Sequence, residues 1–330
     1  MKKIIIISVA SIFVCIQSTY SQISTNELPV SIQRGLGVIT KNNTTGTIDL
    51  PVPDINKFLQ EDSLNQEKIP NGFIRTAISI PVVIDIDEDG IWTTLADGGR
   101  LWQMEIHAEK ALALDFVFSK FWLPKEGKFF LFNSSTKETI GAITSKYILG
   151  DKDKPHRFST GVLKGDRIIL EYYQPAGEQE LPIIKVEKAY YTYILSPNFL
   201  SDETCEYEVN VNCSEGNNWQ LEKNAVALVY CRDGIYSGWC SGSLVNNTQN
   251  NHAPLFLTAN HCMGTKDATD DNDLSDWVFY WGYELENCSS TTQPNYNNKN
   301  DYPQSYHQKF YLKSMVVRFL FNIFAPSFIK

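Results

Sequence analysis

Cysteine is missing from more than half of this 330-residue chain. Residues 23 to 204 contain none, and six of the seven cysteines fall between residues 205 and 288. Those six are Cys205, Cys213, Cys231, Cys240, Cys262 and Cys288. Clustered cysteines are typical of a disulfide-bonded unit in an exported protein. The change in composition therefore predicts a domain boundary near residue 200.

The sequence also lacks an excess of positive charge and a long uninterrupted apolar run. Its formal charge is −9, and this acidic balance disfavours nucleic acid as a partner. The apolar run Ile4–Ile16 has 13 residues, whereas a helix that crosses a membrane needs about 20. The run therefore does not predict a membrane span.

The same run does predict an export signal over residues 1–22. Lys2 and Lys3 precede it, and small and polar residues follow it, which is the order of a secretory signal peptide. A lipoprotein anchored through Cys15 is disfavoured because the bulky Val14 stands before it, and a buried apolar strand is the other interpretation. The sequence thus predicts a secreted protein, extracellular or periplasmic, with no stable membrane anchor once the signal is removed.

The cysteine-free part divides into two stretches that differ in composition and in hydrophobic pattern. Residues 23–75 are polar and rich in Asn and Thr, which predicts a loosely ordered lead-in. From residue 76 to 196, seven short β-type runs alternate with turn signals. ISIPVVIDI, KFFLFN and RIILEYY are examples of these runs. This spacing predicts an antiparallel β-sandwich.

One turn in the predicted sandwich contains closely spaced acidic residues. DIDEDG, Asp85–Gly90, resembles the start of a calcium-binding EF-hand loop, but Ala96 stands where that loop requires a bidentate Glu. The flanking residues also look like strands rather than helices. A solvated turn is favoured over a weak calcium site, and the sequence predicts no metal and no cofactor.

A candidate hairpin lies in the cysteine-rich part, between Gly238 and Cys262. Its sequence, GWCSGSLVNNTQNNHAPLFLTANHC, places two β-type segments around a polar loop. If the hairpin is centred on Asn251, Cys240 lies opposite Cys262 and Val245 opposite Leu257. Opposed residues of an antiparallel pair have Cα atoms roughly 4.5–5.5 Å apart, and a disulfide accepts about 4.4–6.8 Å. This register therefore permits a disulfide at the end of the second strand.

His261 is the candidate catalytic residue of this hairpin. In the same register Ser241–Ser243 lie opposite Ala259–His261, so little bulk blocks the approach of a second group to the imidazole. A general base needs such access, and also a nucleophile within hydrogen-bonding reach. A zinc site made from His252, His261 and Cys262 is disfavoured because adjacent residues on a strand point to opposite faces. Cys262 is better used in the disulfide than as a nucleophile.

Residues from about Cys205 to Cys288 resemble the start of the catalytic domain of bacterial lysyl-endopeptidase-like serine proteases, which have the chymotrypsin fold. The matching stretches are CEYEVNVNCSEG, NAVALVY, CSGSLVNN, FLTANHC and VFYWGYELENC. FLTANHC is the most specific, because it is close to the TA-x-HC motif around the base of the catalytic triad. The resemblance implies that His261 is that base, that Cys240–Cys262 brackets it, and that Cys213–Cys288 forms a second bridge.

The resemblance implies an all-β fold and a secreted serine endopeptidase precursor that acts on protein or peptide substrates. An N-terminal antiparallel β-sandwich pro-region, residues 76–196, would precede an incomplete chymotrypsin-like β-barrel at residues 197–298. The family also has an SDF-like segment for the triad acid and a GSSGSP-type segment for the nucleophile. Neither occurs among the 330 residues. Ser241 and Ser243 are poor substitutes, since nothing near them is expected to form an oxyanion hole.

The sequence therefore predicts a truncated and inactive member of this family. Residues 205–330 number 126, whereas a double-barrel enzyme needs roughly 200–250. Residues 299–330 form a basic, aromatic tail, for which a frameshift is favoured over an amphipathic helix. Cys205 and Cys231 have no assigned partner. The alternative function is a non-enzymatic secreted β-sandwich that serves as a binding module or as a folding aid for an intact relative.

Overall fold

The computed structural model describes most of the chain between residues 27 and 289, together with one short strand beyond it. The described residues are 27–36, 40–41, 44–66, 75–133, 135–147, 151–195, 209–249, 251, 255–259, 262, 274–285, 287–289 and 304–306. The predicted signal over residues 1–22 and His261 lie outside them.

Strands dominate the described residues, with two α-helices near the N-terminus. In chain order the elements are α1 (Val30–Gln33), β1 (Thr40–Lys41), β2 (Thr44–Thr45), β3 (Thr47–Asp49), α2 (Ile55–Gln66), β4 (Arg75–Asp85), β5 (Ile91–Thr94), β6 (Arg100–His107), β7 (Ala113–Trp122), β8 (Lys128–Asn133), β9 (Thr139–Ile143), β10 (His156–Ser159), β11 (Leu163–Lys164), β12 (Arg167–Gln174), β13 (Ile183–Thr192), β14 (Val226–Asp233), β15 (Tyr236–Val245), β16 (Leu255–Thr258), β17 (Val278–Trp281) and β18 (Gln304–Tyr306).

Two curled sheets face each other, built from strands between residues 47 and 192. The larger sheet contains β4, β7, β10, β11 and β13, and the smaller one contains β3, β5, β6, β8, β9 and β12. Their ladders are antiparallel except for the parallel pair β3–β6. β1 and β2 form a separate small hairpin. The all-β fold predicted from the short β-type runs and the turn signals between them is confirmed.

The core of this sandwich is built from aromatic and branched side chains on the facing surfaces of the two sheets. Phe118 and Phe121 on β7 pack against Phe129 on β8, with ring centroids 5.2–5.7 Å apart. Phe121 also stacks on Phe158 of β10 at 4.6 Å. All of these rings are buried. Burial of large aromatic side chains contributes most of the hydrophobic stabilisation in such a core.

The larger sheet does not end where the sequence predicts a domain boundary. It continues from β4 to β15, β14, β17 and β18, and β16 pairs with β15. Antiparallel pairing joins Ile78 to Tyr236 and Ala77 to Ser237, and the Ser79 amide donates to the Ile235 carbonyl at 2.7 Å. Ten of the described strands thus form one sheet across the residue-196 boundary.

The described part of residues 23–75 is more regular than the predicted loose lead-in. Helix α2 begins after Asp54, whose side chain accepts a hydrogen bond from the Lys57 amide at 3.2 Å, and such an N-cap stabilises the first helical turn. Phe58 of this helix packs on Tyr236 of β15, with ring centroids 6.5 Å apart. Arg75 lies over the same Tyr236 ring at 4.5 Å. The sequence did not predict this helix because its composition is polar. Only a few apolar residues, such as Phe58, pack it against the sheet.

Helix α1 is held against the smaller sheet by a buried carboxylate. Glu171 of β12 is fully buried and accepts hydrogen bonds from the Ser31 amide at 3.2 Å and from the Gln103 side chain at 2.8 Å. Burial raises the pKa of Glu171, and these hydrogen bonds oppose the shift. The buried carboxylate thereby connects the N-terminal segment to the sandwich.

The acidic turn DIDEDG connects two strands, as its sequence predicts. β4 ends at Asp85 and β5 begins at Ile91. The Asp89 carboxylate accepts a hydrogen bond from the Asp85 amide at 2.8 Å, and Asp85 forms an ion pair with Lys185 of β13. Two of the turn's carboxylates therefore have partners within the protein.

Candidate functional site

The hairpin that carries the candidate site is formed by β15 and β16, but in a register different from the predicted one. Val245 pairs with Leu255, not with Leu257, and Ser243 pairs with Leu257. The prediction is wrong by two residues. A shift of two keeps every side chain on the same face of the sheet, so the apolar pattern could not distinguish the two registers.

Cys240 and Cys262 form a disulfide, with an S–S distance of 2.08 Å and Cα atoms 6.0 Å apart. They are not an opposed pair of a continuous ladder, because β16 ends at Thr258. The Thr258 hydroxyl donates to the Ser241 carbonyl at 2.7 Å, and the Cys262 amide donates to the Ala259 carbonyl at 3.1 Å. The chain therefore turns after β16, and this turn places Cys262 beside the neighbouring strand.

A second disulfide joins Cys213 to Cys288, with Cα atoms 4.5 Å apart. Hydrogen bonds reinforce it: the Asn212 side chain donates to the Leu285 carbonyl at 2.6 Å, and the Asn210 side chain donates to the Asn287 carbonyl at 3.0 Å. The 3₁₀ segment Ser214–Trp219 is thus tied to the chain that follows β17. These two bridges join the pairs that the resemblance implies.

One of the two hairpin serines lies away from its predicted position. Ser243 is opposite Leu257, not Ala259, and the ladder ends with Gly242 opposite Thr258. The predicted opposition of Ser241 to His261 falls outside the described residues. The Ser243 hydroxyl donates to the Leu244 carbonyl at 3.1 Å. Gly242 has no room for a side chain, since a Cβ there would lie 2.4 Å from the Phe256 ring and 2.6 Å from the Leu257 carbonyl oxygen.

His261 itself lies outside the described residues, and so do His252 and Asn260. Its assignment as a general base remains a prediction. The described neighbours define the site up to that position: Cys262 is buried and bonded to β15, and Ala259 follows the last residue of β16. Position 261 is therefore covalently tied, through the next residue, to a long strand of the sheet.

Residues 201–316 match the family model described as lysyl endopeptidase, C-terminal domain. This match supports a lysyl-endopeptidase-like protein. It covers about a third of the chain, includes both disulfides, and extends past residue 298, the predicted end of the incomplete barrel. No solved structure matches the chain. We call residues 201–316 the protease-like segment and residues 27–195 the N-terminal region.

A cavity of about 330 Å³ opens on the surface of the protease-like segment. Its lining includes Val211, Trp219, Leu228 and Tyr283, and burial raises the pKa of the Tyr283 hydroxyl. The only described charged side chains in the lining are two acids and one lysine, and Lys223 donates to Glu284 at 2.9 Å. That pairing neutralises two of the three charges, so the cavity is chiefly apolar.

A buried ion pair connects the protease-like segment to the N-terminal region. Arg232 of β14 and Asp115 of β7 have no exposed side-chain surface, and the guanidinium donates to the Asp115 carboxylate. The same guanidinium donates to the Thr160 carbonyl at 3.1 Å. The Tyr230 hydroxyl donates to the other Asp115 oxygen at 3.1 Å. Burial raises the pKa of Asp115, and Arg232 opposes that shift.

A second ion pair crosses the same boundary with the charges exchanged. Arg157 of β10 makes a two-pronged contact with Asp276, with N–O distances of 2.7 and 2.8 Å. The Ser159 hydroxyl donates to the same carboxylate at 2.9 Å, and Glu187 accepts from Arg157 at 2.6 Å. Sequence analysis missed both ion pairs. For Asp115 and Arg232 a signal was available, because each is a charge within or beside an apolar run, in ALALDFVF and ALVYCRD.

Cys231 is a free thiol among the described cysteines, and it is buried. Burial raises the pKa of this thiol well above its usual range, which suppresses the reactive thiolate. Cys205, the other cysteine without an assigned partner, lies outside the described residues. Cys231 therefore has the environment of a structural residue, not of a nucleophile.

The described helices include none with the length and apolarity needed to cross a membrane. The two disulfides fit an extracellular protein.

Proposed function

We propose that this protein is a secreted serine endopeptidase precursor of the lysyl-endopeptidase-like type, with proteins or peptides as its substrates. The observation that carries the proposal is the Cys240–Cys262 bridge at the end of β16 within the segment that matches the family model. This bridge ties the residue after His261 to β15, and positioning of this kind is what a catalytic imidazole requires.

His261 would act as the general base of the triad. In this role one imidazole nitrogen takes the proton of a serine hydroxyl as that oxygen attacks the peptide carbonyl, and the imidazolium later gives the proton to the leaving amine. A buried aspartate would hold the other nitrogen. The bridge limits the movement of the backbone beside the base, so that the imidazole need not be ordered again at each turnover.

The 330-residue polypeptide by itself is proposed to be inactive. None of its segments resembles the SDF-like or GSSGSP-like segments that supply the acid and the nucleophile, and a triad enzyme that lacks these members retains only weak catalysis. A serine-directed fluorophosphonate probe on the purified secreted protein tests this. We expect no labelling and no hydrolysis of a lysyl peptide substrate; stoichiometric labelling would contradict the proposal.

The role of His261 can be tested separately in a protein that also contains an acid segment and a nucleophile segment of this family. A chimera would join residues 1–288 of this chain to the corresponding remainder of an active lysyl endopeptidase. We expect His261→Ala to abolish hydrolysis of a lysyl peptide by the chimera, whereas His252→Ala, a matched change in the same hairpin, leaves it active. Equal activity of all three proteins would show that His261 is not the base.

Secretion is proposed from the residues of the leader. The order of Lys2 and Lys3, the run Ile4–Ile16 and the small residues after it favours cleavage near Ser21 or Gln22. N-terminal sequencing of protein exported by a bacterial host tests the site. A mature chain that still begins at Met1 would contradict the proposal.

The second candidate is a non-enzymatic β-sandwich, acting either as a binding module or as a folding aid. The pairing of β4 with β15 favours the folding aid, because the sandwich supplies a neighbouring strand to the protease-like segment. Refolding an intact lysyl endopeptidase with increasing amounts of this chain tests it. A dose-dependent change in recovered activity is expected from a folding aid, and no change from a binding module.

A further inference from the structure

We propose that the N-terminal region remains bound to the protease-like segment after the chain between them is cut, so that cleavage yields a stable two-chain complex. The surface of the protease-like segment is thus covered by the β-sandwich of the same chain. This inference concerns assembly and does not depend on peptidase activity. Three independent features of the boundary support it.

The first feature is a pair of strands with both faces buried. On β14, Ala227 and Val229 pack in a small cluster within the protease-like segment, whereas Tyr230 packs in the large core of the sandwich. On β17 the same alternation places Phe279 in the small cluster and Val278 in the large one. A strand that is covered on both faces has a nearly continuous apolar sequence. Without the N-terminal region, one face of each strand would be exposed to water.

The second feature is the crossed arrangement of the two ion pairs. The protease-like segment contributes one cation, Arg232, and one anion, Asp276, and the N-terminal region contributes Asp115 and Arg157 in the opposite sense. Arg232 and Asp115 have no exposed side-chain surface, and the Asp276 side chain is 2% exposed. Separation would leave unpaired charges on both surfaces, which is far more costly than breaking an exposed ion pair. The pattern also selects one orientation of docking.

The third feature is backbone and hydroxyl bonding across the boundary. β4 pairs with β15, the Val162 amide donates to the Tyr280 hydroxyl at 3.3 Å, and the Tyr190 hydroxyl donates to the Gly234 carbonyl at 3.2 Å. These groups are spread over several strands of both parts. They would all need new partners if the two parts separated.

No disulfide can hold the two parts together after a cut between residues 196 and 204. Residues 23–204 contain no cysteine, and both bridges lie between Cys213 and Cys288. Any association that persists must therefore be non-covalent. This property of the chain makes the proposal directly testable.

The experiment uses the full chain with a recognition sequence for a site-specific protease in place of residues 198–204. After cleavage of the folded protein, the two pieces are examined by size-exclusion chromatography and native mass spectrometry at micromolar concentration without denaturant. We expect one complex that contains both pieces. Separate elution of intact, folded pieces would overturn the proposal.

The role of the charges is tested with variants of the cut protein. Asp276→Asn removes one anion with little change of volume, and Asp276→Arg reverses it. We expect each to raise the dissociation constant at least tenfold. We expect Arg157→Glu combined with Asp276→Arg to recover most of the loss when Glu187→Gln is also present, because Glu187 would otherwise repel the new carboxylate at position 157. Lys152→Glu, which reverses a charge of the exposed Lys152–Glu180 pair within the N-terminal region, is the control and should change nothing.

Each outcome of the variants is decisive. If Asp276→Asn and Lys152→Glu leave the same dissociation constant, the ion pairs do not hold the complex and the second feature fails. If the reciprocal exchange is no better than Asp276→Arg alone, the loss comes from damaged packing and the charge argument is again overturned. Recovery in the exchanged protein would show that charge pairing across this boundary determines the association.

Discussion

Replacement of Asp115 by Asn should destabilise the protein far more than the loss of one ordinary ion pair. Asp115 is fully buried, and its two oxygens accept from Arg232 and from the Tyr230 hydroxyl. The amide keeps the shape but removes the charge, so the Arg232 guanidinium stays buried with neutral acceptors only. Removing one partner of a buried ion pair typically costs about 3–5 kcal/mol. Because Arg232 keeps the Thr160 carbonyl as an acceptor, we expect a value near the lower end of that range.

A double-mutant cycle separates the pair from its surroundings. The two single variants of the cycle, Arg232→Met and Asp115→Leu, should each be destabilising by a similar amount, because each leaves the other charge buried without its partner. Asp115→Leu together with Arg232→Met removes both charges, and replacement of a whole buried pair by apolar residues is often nearly neutral. The double variant should therefore be less destabilised than the sum of the single variants by at least about 2 kcal/mol.

Urea unfolding, followed by tryptophan fluorescence and far-UV circular dichroism, provides the measurement. Trp239, which lies 4.7 Å from the Tyr230 ring, is a local reporter of the boundary. Asp97→Asn is the matched control, since Asp97 pairs with Arg34 on the surface and such pairs contribute about 0–1 kcal/mol. A loss of under about 1 kcal/mol for Asp115→Asn would refute the claim that the buried charge needs its partner.

Three further predictions concern a disulfide, a glycine and a buried carboxyl. Replacement of Cys240 and Cys262 by Ala should lower the free energy of unfolding by about 3.4 kcal/mol for a sequence separation of 22, and loss of the bridge with separation 75 should cost about 4.5 kcal/mol; denaturant unfolding of both variants checks the ranking, and the reverse order contradicts it. Gly242→Ala should destabilise the hairpin by about 1–3 kcal/mol, because its Cβ would meet the neighbouring strand at 2.4–2.6 Å; a melting temperature equal to that of the parent would argue against this packing. Burial raises the pKa of Glu171, so the stability that this carboxyl contributes in its protonated form is lost as the pH rises through its folded-state pKa. The stability of Glu171→Gln relative to the parent should therefore be higher at about pH 7 than at about pH 4. Thermal unfolding of both proteins at the two pH values measures this difference, and a lower relative stability at the higher pH would contradict the assignment.

The local elements of the sandwich were accessible from the sequence, whereas the connections between its parts were not. KFFLFN corresponds to β8, Lys128–Asn133, and RIILEYY to most of β12, because a short continuous apolar run bounded by turn signals is typical of a buried strand. The pairing of β4 with β15 joins residues more than 150 positions apart. No local pattern encodes which edge strand meets which, so this junction needed the three-dimensional structure.

Sequence-based prediction of the candidate site was limited in the same way, although the residues involved are closer in the chain. The presence of a hairpin and the proximity of Cys240 to Cys262 followed from the residues, but the register did not, because a two-residue shift preserves the faces of the strands. The structure also shows that β16 ends at Thr258, four residues before the bridge. A bridge between opposed strands and a bridge across a turn need the same cysteine spacing, and only the backbone course distinguishes them.

The cysteine content and the packing of this chain define different boundaries. The described core that belongs to the protease-like segment alone is a small cluster, which contains both Cys231 and Cys262, whereas Tyr230, Trp239 and Tyr280 pack into the core of the sandwich. A small core needs covalent support, so the disulfides mark where packing within the segment is limited. The apolar run ALVYC in β14 also indicates that the segment packs against a second core. Its side chains point alternately into the small cluster and into the core of the sandwich, so removal of either core would expose large side chains to water. Disulfides thus indicate the covalently closed unit, whereas strands that are apolar on both faces indicate the unit that folds together, and here the second unit is the larger.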